Sequence, residues 1–155
     1  IVDNKLTIRL HAKRFWNEDL IFKNELPKAH IDKGYRSVHK LIANCKLVVH
    51  SYVATGYLET LAANFPTLIF TNINYYLLNK ETMEGIKILT DAQIFHSNYE
   101  SAANFINKNY ENIDVWWNSE KTQKARSLFC KKYANLNKDK VNTLIKILRS
   151  CQQEN

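Results

Sequence analysis

Apolar positions change period several times along the first fifty residues, and each change marks an element. Leu6, Ile8 and Leu10 alternate with polar neighbours within Lys5 to His11, the period of a half-buried strand. The stretch from there to Asp32 is irregular and charged around Phe15, Trp16, Phe22 and Pro27, and it has room for a short helix and a short strand near Ala29 to Ile31. From Ser37 onward Val38, Leu41 and Ile42 take helical spacing, ending near Asn44. Lys46 to His50 then reads as a buried strand with β-branched valines.

The alternation continues through the middle of the chain. Tyr57, Leu58, Leu61 and Ala62 recur at helical spacing, and Pro66 stops that helix before the apolar run Thr67 to Phe70. Strand, helix and strand in so short a span make a βαβ unit, which nearly always crosses over right-handed between parallel strands. Asn79 is placed to cap a further helix through Leu89, and Gln93 to His96 reads as the next strand. Ser97 and Glu100 have capping-box spacing ahead of Ala102, Ala103, Phe105 and Ile106. Beyond Trp116 and Trp117 the pattern is helical. Ser119 caps a helix bearing Ala125, Leu128, Phe129 and Tyr133, and after the polar connection Asn135 to Lys140 another helix carries Val141, Leu144, Ile145 and Leu148.

These elements predict one α/β domain over residues 1–155, with a doubly wound, mainly parallel, Rossmann-like sheet in three layers. Its strands are Leu6 to Leu10, Leu47 to Val49, Thr67 to Ile69 and Ile94 to Phe95. A helical extension over about residues 119–150 packs on the core through Leu128, Phe129, Leu144 and Leu148. Trp116 and Trp117 are expected to cover the core rather than to stack on a ligand.

A chain of 155 residues with 45% hydrophobic positions is enough for one compact domain and too short for two of ordinary size. Its apolar runs fall far short of the ~20 residues that a membrane-spanning helix needs. The chain begins at Ile1 and its one methionine is Met83, which reads as a fragment of a longer protein. Cys45, Cys130 and Cys151 are odd in number, widely spaced and without C-x-x-C, a usage that argues against a disulfide framework or zinc site and fits a reducing cytoplasm.

The net charge of +7 is unevenly spread: residues 1–50 and 121–155 are basic, and the stretch between them is acidic. A basic tail can meet nucleic acid, anionic lipid or a phosphorylated ligand. No RNA-module signature, zinc finger or glycine clamp supports nucleic acid, and Lys121, Lys124, Lys131 and Lys132 are expected to be solvated.

Candidate chemistry concentrates in Lys46 to Phe70. Ligands of open parallel sheets bind beyond the carboxyl ends of the strands, where His50 and Ser51 fall. Ser51, Thr55 and Gly56 occupy the turn into a helix, whose free N–H groups and dipole suit a phosphate or diphosphate, and Gly56 permits close approach. Glu59, one turn on, is able to accept hydrogen bonds from two sugar hydroxyls. Each residue also has an ordinary structural role: a satisfied strand-end histidine, a helix cap, a turn glycine, a first-turn acid. Neither a Walker loop nor G-x-G-x-x-G is present.

The pattern Ser51, Thr55, Gly56, Glu59, Thr60, Leu61, Ala62, Pro66 and Thr67 resembles the donor-binding segment of the C-terminal domain of GT-B glycosyltransferases. LVVHSYVATGYLETL…PTLIF, AQIFHSNYESAANFIN, the Trp116–Trp117 pair and ARSLFCKKYA together are similar to a family of transferases from bacterial surface-polysaccharide and O-antigen gene clusters, over about Leu6 to Ala134. The resemblance implies that Arg9 and His11, at the end of the first strand, face the donor phosphates, Arg9 as a bidentate fork and His11 as a further donor. Ala12 stands where a proline often follows that histidine, and Arg36 is a weaker reserve. It further implies a nucleotide-sugar donor as substrate without a cofactor, and metal-independent leaving-group stabilisation, in keeping with the lack of a DxD pair. The acceptor site and general base would lie on a missing N-terminal domain, in a cytoplasmic protein in peripheral contact with the inner membrane; no catalytic residue is assigned, and the fragment alone is expected to be inactive. A non-catalytic nucleotide or phosphosugar sensor on the same scaffold, or a basic RNA-binding domain, are the alternatives.

Overall fold

A computed structural model of the chain describes residues 5–13 and 16–135. The elements run β1 (Thr7–Arg9), α1 (Glu18–Glu25), β2 (His30–Asp32), α2 (Val38–Ile42), β3 (Val48–His50), α3 (Thr55–Ala62), β4 (Thr67–Phe70), α4 (Lys80–Asp91), β5 (Phe95–His96), α5 (Tyr99–Asn109), α6 (Ile113–Trp117) and α7 (Glu120–Tyr133). Helix and strand alternate as the pattern requires, and among the described residues the three strand pairings are all parallel.

Strand β4 organises the core because it is paired on both edges and covered on both faces. It lies between β3 and β5, with Val48 opposite Thr67 and Ile69 opposite Phe95. Its side chains alternate as a strand's must. Leu68 and Phe70 join Ala102 and Ile106 of α5 on one face, whereas Ile69 joins Leu61 of α3, Leu89 of α4 and Phe129 of α7 on the other. That is a three-layer arrangement, in which burying each large aliphatic side chain contributes roughly 1.5–3 kcal/mol. The tryptophans belong to the core, as expected. Trp117 is buried and donates from Nε1 to the Asn64 carbonyl, while Trp116 donates to the Ala92 carbonyl and meets Phe105 edge-on.

The structure departs from the sequence reading at four points. The strands form two sheets, β2–β1 and β3–β4–β5, rather than one. In β1 only Ile8 turns inward, and the three-residue strand faces β3 across a cleft instead of pairing with it. Helix α5 is capped by Asn98, not Ser97: its Oδ1 accepts from the Ser101 N–H at 2.8 Å, which moves Glu100 into the first turn where the dipole favours an acid. Thr55 does not cap α3; it is the first helical residue, behind Ala54. On α7 the buried stripe is Thr122, Ala125 and Phe129, so Leu128 is left exposed on its flank. Asn79 and Ser119 do cap α4 and α7. Lys121, Lys124, Lys131 and Lys132 are exposed, Lys132 in an ion pair with Glu81. Val141, Leu144, Ile145, Leu148 and Cys151 lie outside the described residues.

One contact set fixes the end of β1. Asp32 is buried and in register with Arg9 on β1. Its carboxylate accepts from Arg9 Nη1 at 2.9 Å and from the Gly34 N–H at 2.8 Å, while its carbonyl accepts from the Leu10 N–H. Gly34 sits at φ +84°, and a Cβ there would come within 2.5 Å of the Leu10 carbonyl oxygen. Both the conformation and the space therefore demand glycine. Gly34→Ala is expected to cost roughly 1–3 kcal/mol in denaturant unfolding; an unchanged midpoint would contradict this turn.

Candidate functional site

A cleft of about 320 Å³ opens between β1 and β3. Thr7 and Arg9 form one wall and Val48 to Tyr52 the other. The apolar stripe of α2, Val38, Leu41 and Ile42, lines it with Cys45, and Gly56 and Glu59 of α3 complete it. Of the residues singled out in the sequence, Arg9, His50, Ser51, Gly56 and Glu59 are thus brought together. His11 and Thr55 are not among the lining residues. His11 is exposed, with Nδ1 held by the backbone of Lys13, and Thr55 is exposed at the start of α3, adjacent in sequence to Gly56.

Arg9 enters the cleft already engaged. Nη1 binds Asp32 and Nη2 reaches the Gly34 carbonyl at 3.3 Å, which leaves part of its five-donor fork for a ligand and opposes its charge with a buried carboxylate. The amide N–H groups at the start of α3 are the other donors. Among the described residues side chains cap α4, α5 and α7, whereas α1, α2, α3 and α6 carry no side-chain cap, and at the start of α3 Gly56 lines the cleft.

His50 ends β3 half-buried. Nε2 lies 3.2 Å from Oγ1 of the buried Thr60, and Tyr57 meets the ring edge-on. Burial pushes its pKa down to about 4, so the imidazole is neutral near pH 7. A Cβ at position 56 would lie 3.3 Å from His50 Cε1, so Gly56 makes room for the ring as well as for a ligand. His96, at the end of β5, has both nitrogens engaged, Nδ1 with Ser101 Oγ at 2.8 Å and Nε2 with the Gln93 carbonyl, and serves packing. Burial raises the Cys45 thiol, which stays protonated in the apolar wall.

Sequence reasoning missed Thr7, Tyr52 and the α2 wall. Thr7 shares strand parity with Arg9 and could have been found from it. The α2 stripe looked like any core-facing helix. Among the described residues, no group of three or more His, Cys, Asp or Glu side chains is placed to hold a metal ion, and no helix is long and apolar enough to cross a membrane.

Residues 1–148 match the model of a family described as LIC12162 family transferase. The chain belongs to that family. No curated protein and no solved structure matches it. In this LIC12162 family chain the strands, the cleft and all its lining residues fall within the matched span.

The half-buried His50 gives the fold an acid dependence. A histidine whose folded pKa lies near 4, against about 6.5 unfolded, binds fewer protons folded than unfolded between those values. Its contribution is full above about pH 6.5 and is lost as the pH falls toward 4, at up to about 1.4 kcal/mol per pH unit. His96, lowered by burial in the same direction, adds to it. Denaturant unfolding followed from pH 7 to pH 4 should show this loss, reduced in His50→Gln; identical slopes in the two proteins would contradict the burial of His50.

Proposed function

We propose that this LIC12162 family chain is the nucleotide-sugar-binding, C-terminal part of a GT-B glycosyltransferase that helps assemble bacterial surface polysaccharide of the O-antigen kind. The observation that carries the reading is the convergence of Arg9, His50, Ser51, Gly56 and Glu59 on one cleft beside the uncapped start of α3. In this reading the α3 amide groups and the Ser51 hydroxyl take the donor's phosphates. The free part of the Arg9 fork approaches from the opposite wall, and His11 and Thr55, outside the lining and close to it in sequence, would have to reach the donor from there. Glu59, one turn into α3, takes a ribose or sugar hydroxyl.

The chemistry asked of these groups is charge stabilisation. As the sugar leaves, negative charge grows on the nucleotide phosphate, and preoriented N–H groups at a helix start oppose it without reorganising. No metal or cofactor takes part in this reading. The acceptor hydroxyl and its general base belong to an N-terminal domain, so the chain alone binds donor and does not turn it over. The full protein works on the cytoplasmic side, with exposed lysines of α7 touching the inner membrane. Transferase membership supports this reading, as do the cleft's position and its mix of hydroxyl, amide and carboxylate groups.

Ser51→Ala and Glu59→Gln in the full-length protein are each expected to weaken donor binding by about tenfold, the cost of one hydrogen bond with a charged partner. Calorimetric titration with nucleotide sugars measures this. Unchanged affinity and turnover in the doubly substituted, folded protein would return these residues to purely structural roles.

A further inference from the structure

His50 poses a question that the donor-site reading leaves open: which of its nitrogens meets the ligand, and in what protonation state. Nε2 is tied to the Thr60 hydroxyl at 3.2 Å, and Thr60 is only 3% exposed, so that hydroxyl has no water to turn to. Its oxygen also lies 3.1 Å from the Tyr57 carbonyl and 3.4 Å from the Gly56 carbonyl. A carbonyl only accepts, and the hydroxyl has a single proton. Were that proton given to Nε2, two carbonyl oxygens would face the lone pairs of the hydroxyl with nothing between them. When it goes to the carbonyls instead, Nε2 must carry the ring proton and donate to Thr60, and every contact is satisfied.

Nδ1 is then the bare nitrogen. Among the described residues it has no hydrogen-bond partner, and it is not a buried orphan, since among those residues Glu18 Oε2 is the one buried side-chain oxygen or nitrogen left without a partner. His50 and Gly56 line the same cleft, and the Cβ that Gly56 lacks would sit 3.3 Å from the neighbouring Cε1 and 3.7 Å from Nδ1, so the glycine leaves space beside this edge of the ring.

We propose that Thr60 is a positioning residue that holds His50 in the Nε2-protonated form and presents Nδ1 to the cleft as a hydrogen-bond acceptor. His50 therefore meets a donor group of the ligand, a sugar hydroxyl or a base N–H, and not a phosphate oxygen, which would need a donor in return. A neutral imidazole, as burial dictates at this position, is the form this requires. The part concerning the ligand rests on the reading of the cleft as a nucleotide-sugar site; the tautomer stands on the protein alone.

Nitrogen-proton correlation spectra of the full chain, labelled with nitrogen-15 histidine and recorded at pH 7, test it. His50 is expected to show a protonated Nε2 and a bare Nδ1. Thr60→Val, which keeps the shape and removes the hydroxyl, should give a mixture of tautomers, and Thr60→Ser should restore the single form. A protonated Nδ1 in the parent protein, or an unchanged pattern in folded Thr60→Val, overturns the assignment. The same spectra are then taken with diphosphate sugars of uridine, thymidine and guanosine and a cytidine monophosphate sugar. Binding is expected to shift Nδ1 as an accepted hydrogen bond does, with the ring still neutral, and Thr60→Val to weaken it by about two- to tenfold. An imidazolium in the complex overturns the proposal. If none of these sugars binds, the donor-site reading fails and the predicted ligand contact with it, while the free-protein spectra still decide the tautomer.

Discussion

The structure depends on the two-sided burial of β4. Thr67 and Leu68 are wholly inaccessible and Ile69 is 1% exposed, so the strand needs cover above and below. Helix α5 supplies one layer, and α3, α4 and α7 supply the other. Parallel pairing on both edges requires helical crossovers, and these place the β3-to-α3 connection at the carboxyl end of the sheet. The position of His50, Ser51 and Gly56 is therefore a consequence of core packing. A candidate site on this loop inherits its rigidity from a neighbouring strand whose first three residues are buried.

A second constraint acts on the opposite wall. A buried carboxylate must be paired or hydrogen-bonded, and Asp32 is both, through Arg9 and the Gly34 amide. The pairing holds β1 against β2 and aims Arg9 along the cleft, but it also spends much of the arginine's charge within the protein. In the proposed donor site, recognition of an anion would then fall more heavily on backbone N–H groups at α3 than an isolated arginine would suggest. Glu59 on the same lining is an acceptor, which in that proposal would favour hydroxyl-bearing ligands over simple anions.

Much of this was readable from local pattern. Period-two alternation, β-branched valines and Pro66 located β1, β3 and β4 to within a residue or two, and the βαβ logic predicted their parallel sense. His50, Ser51, Gly56 and Glu59 lie within ten residues of one another, so a strand–turn–helix reading could group them. What failed was decided at long range or by small angles. The division into two sheets reflects a missing pairing between β1 and β3, which no local pattern records. The partner of Arg9 is 23 residues away, and only the β1–β2 register brings Asp32 beside it. Leu128 is next to Phe129, and one residue's rotation about a helix separates a buried stripe from an exposed flank. Asn98 displaced Ser97 as a cap because two good capping residues stood side by side, and only backbone conformation chose between them.

The central claim is that the β1–β3 cleft is where this transferase-family protein holds its donor. Backbone amide shift mapping of the full-length protein during titration with nucleotide sugars tests it most directly. The account predicts that the largest changes cluster at Arg9, Ser51, Gly56 and Glu59 and leave the exposed lysine face of α7 untouched. Saturable changes centred instead on the open hollow around Gln93, Asn98 and Lys108 at α5, with the cleft residues unmoved, would contradict it.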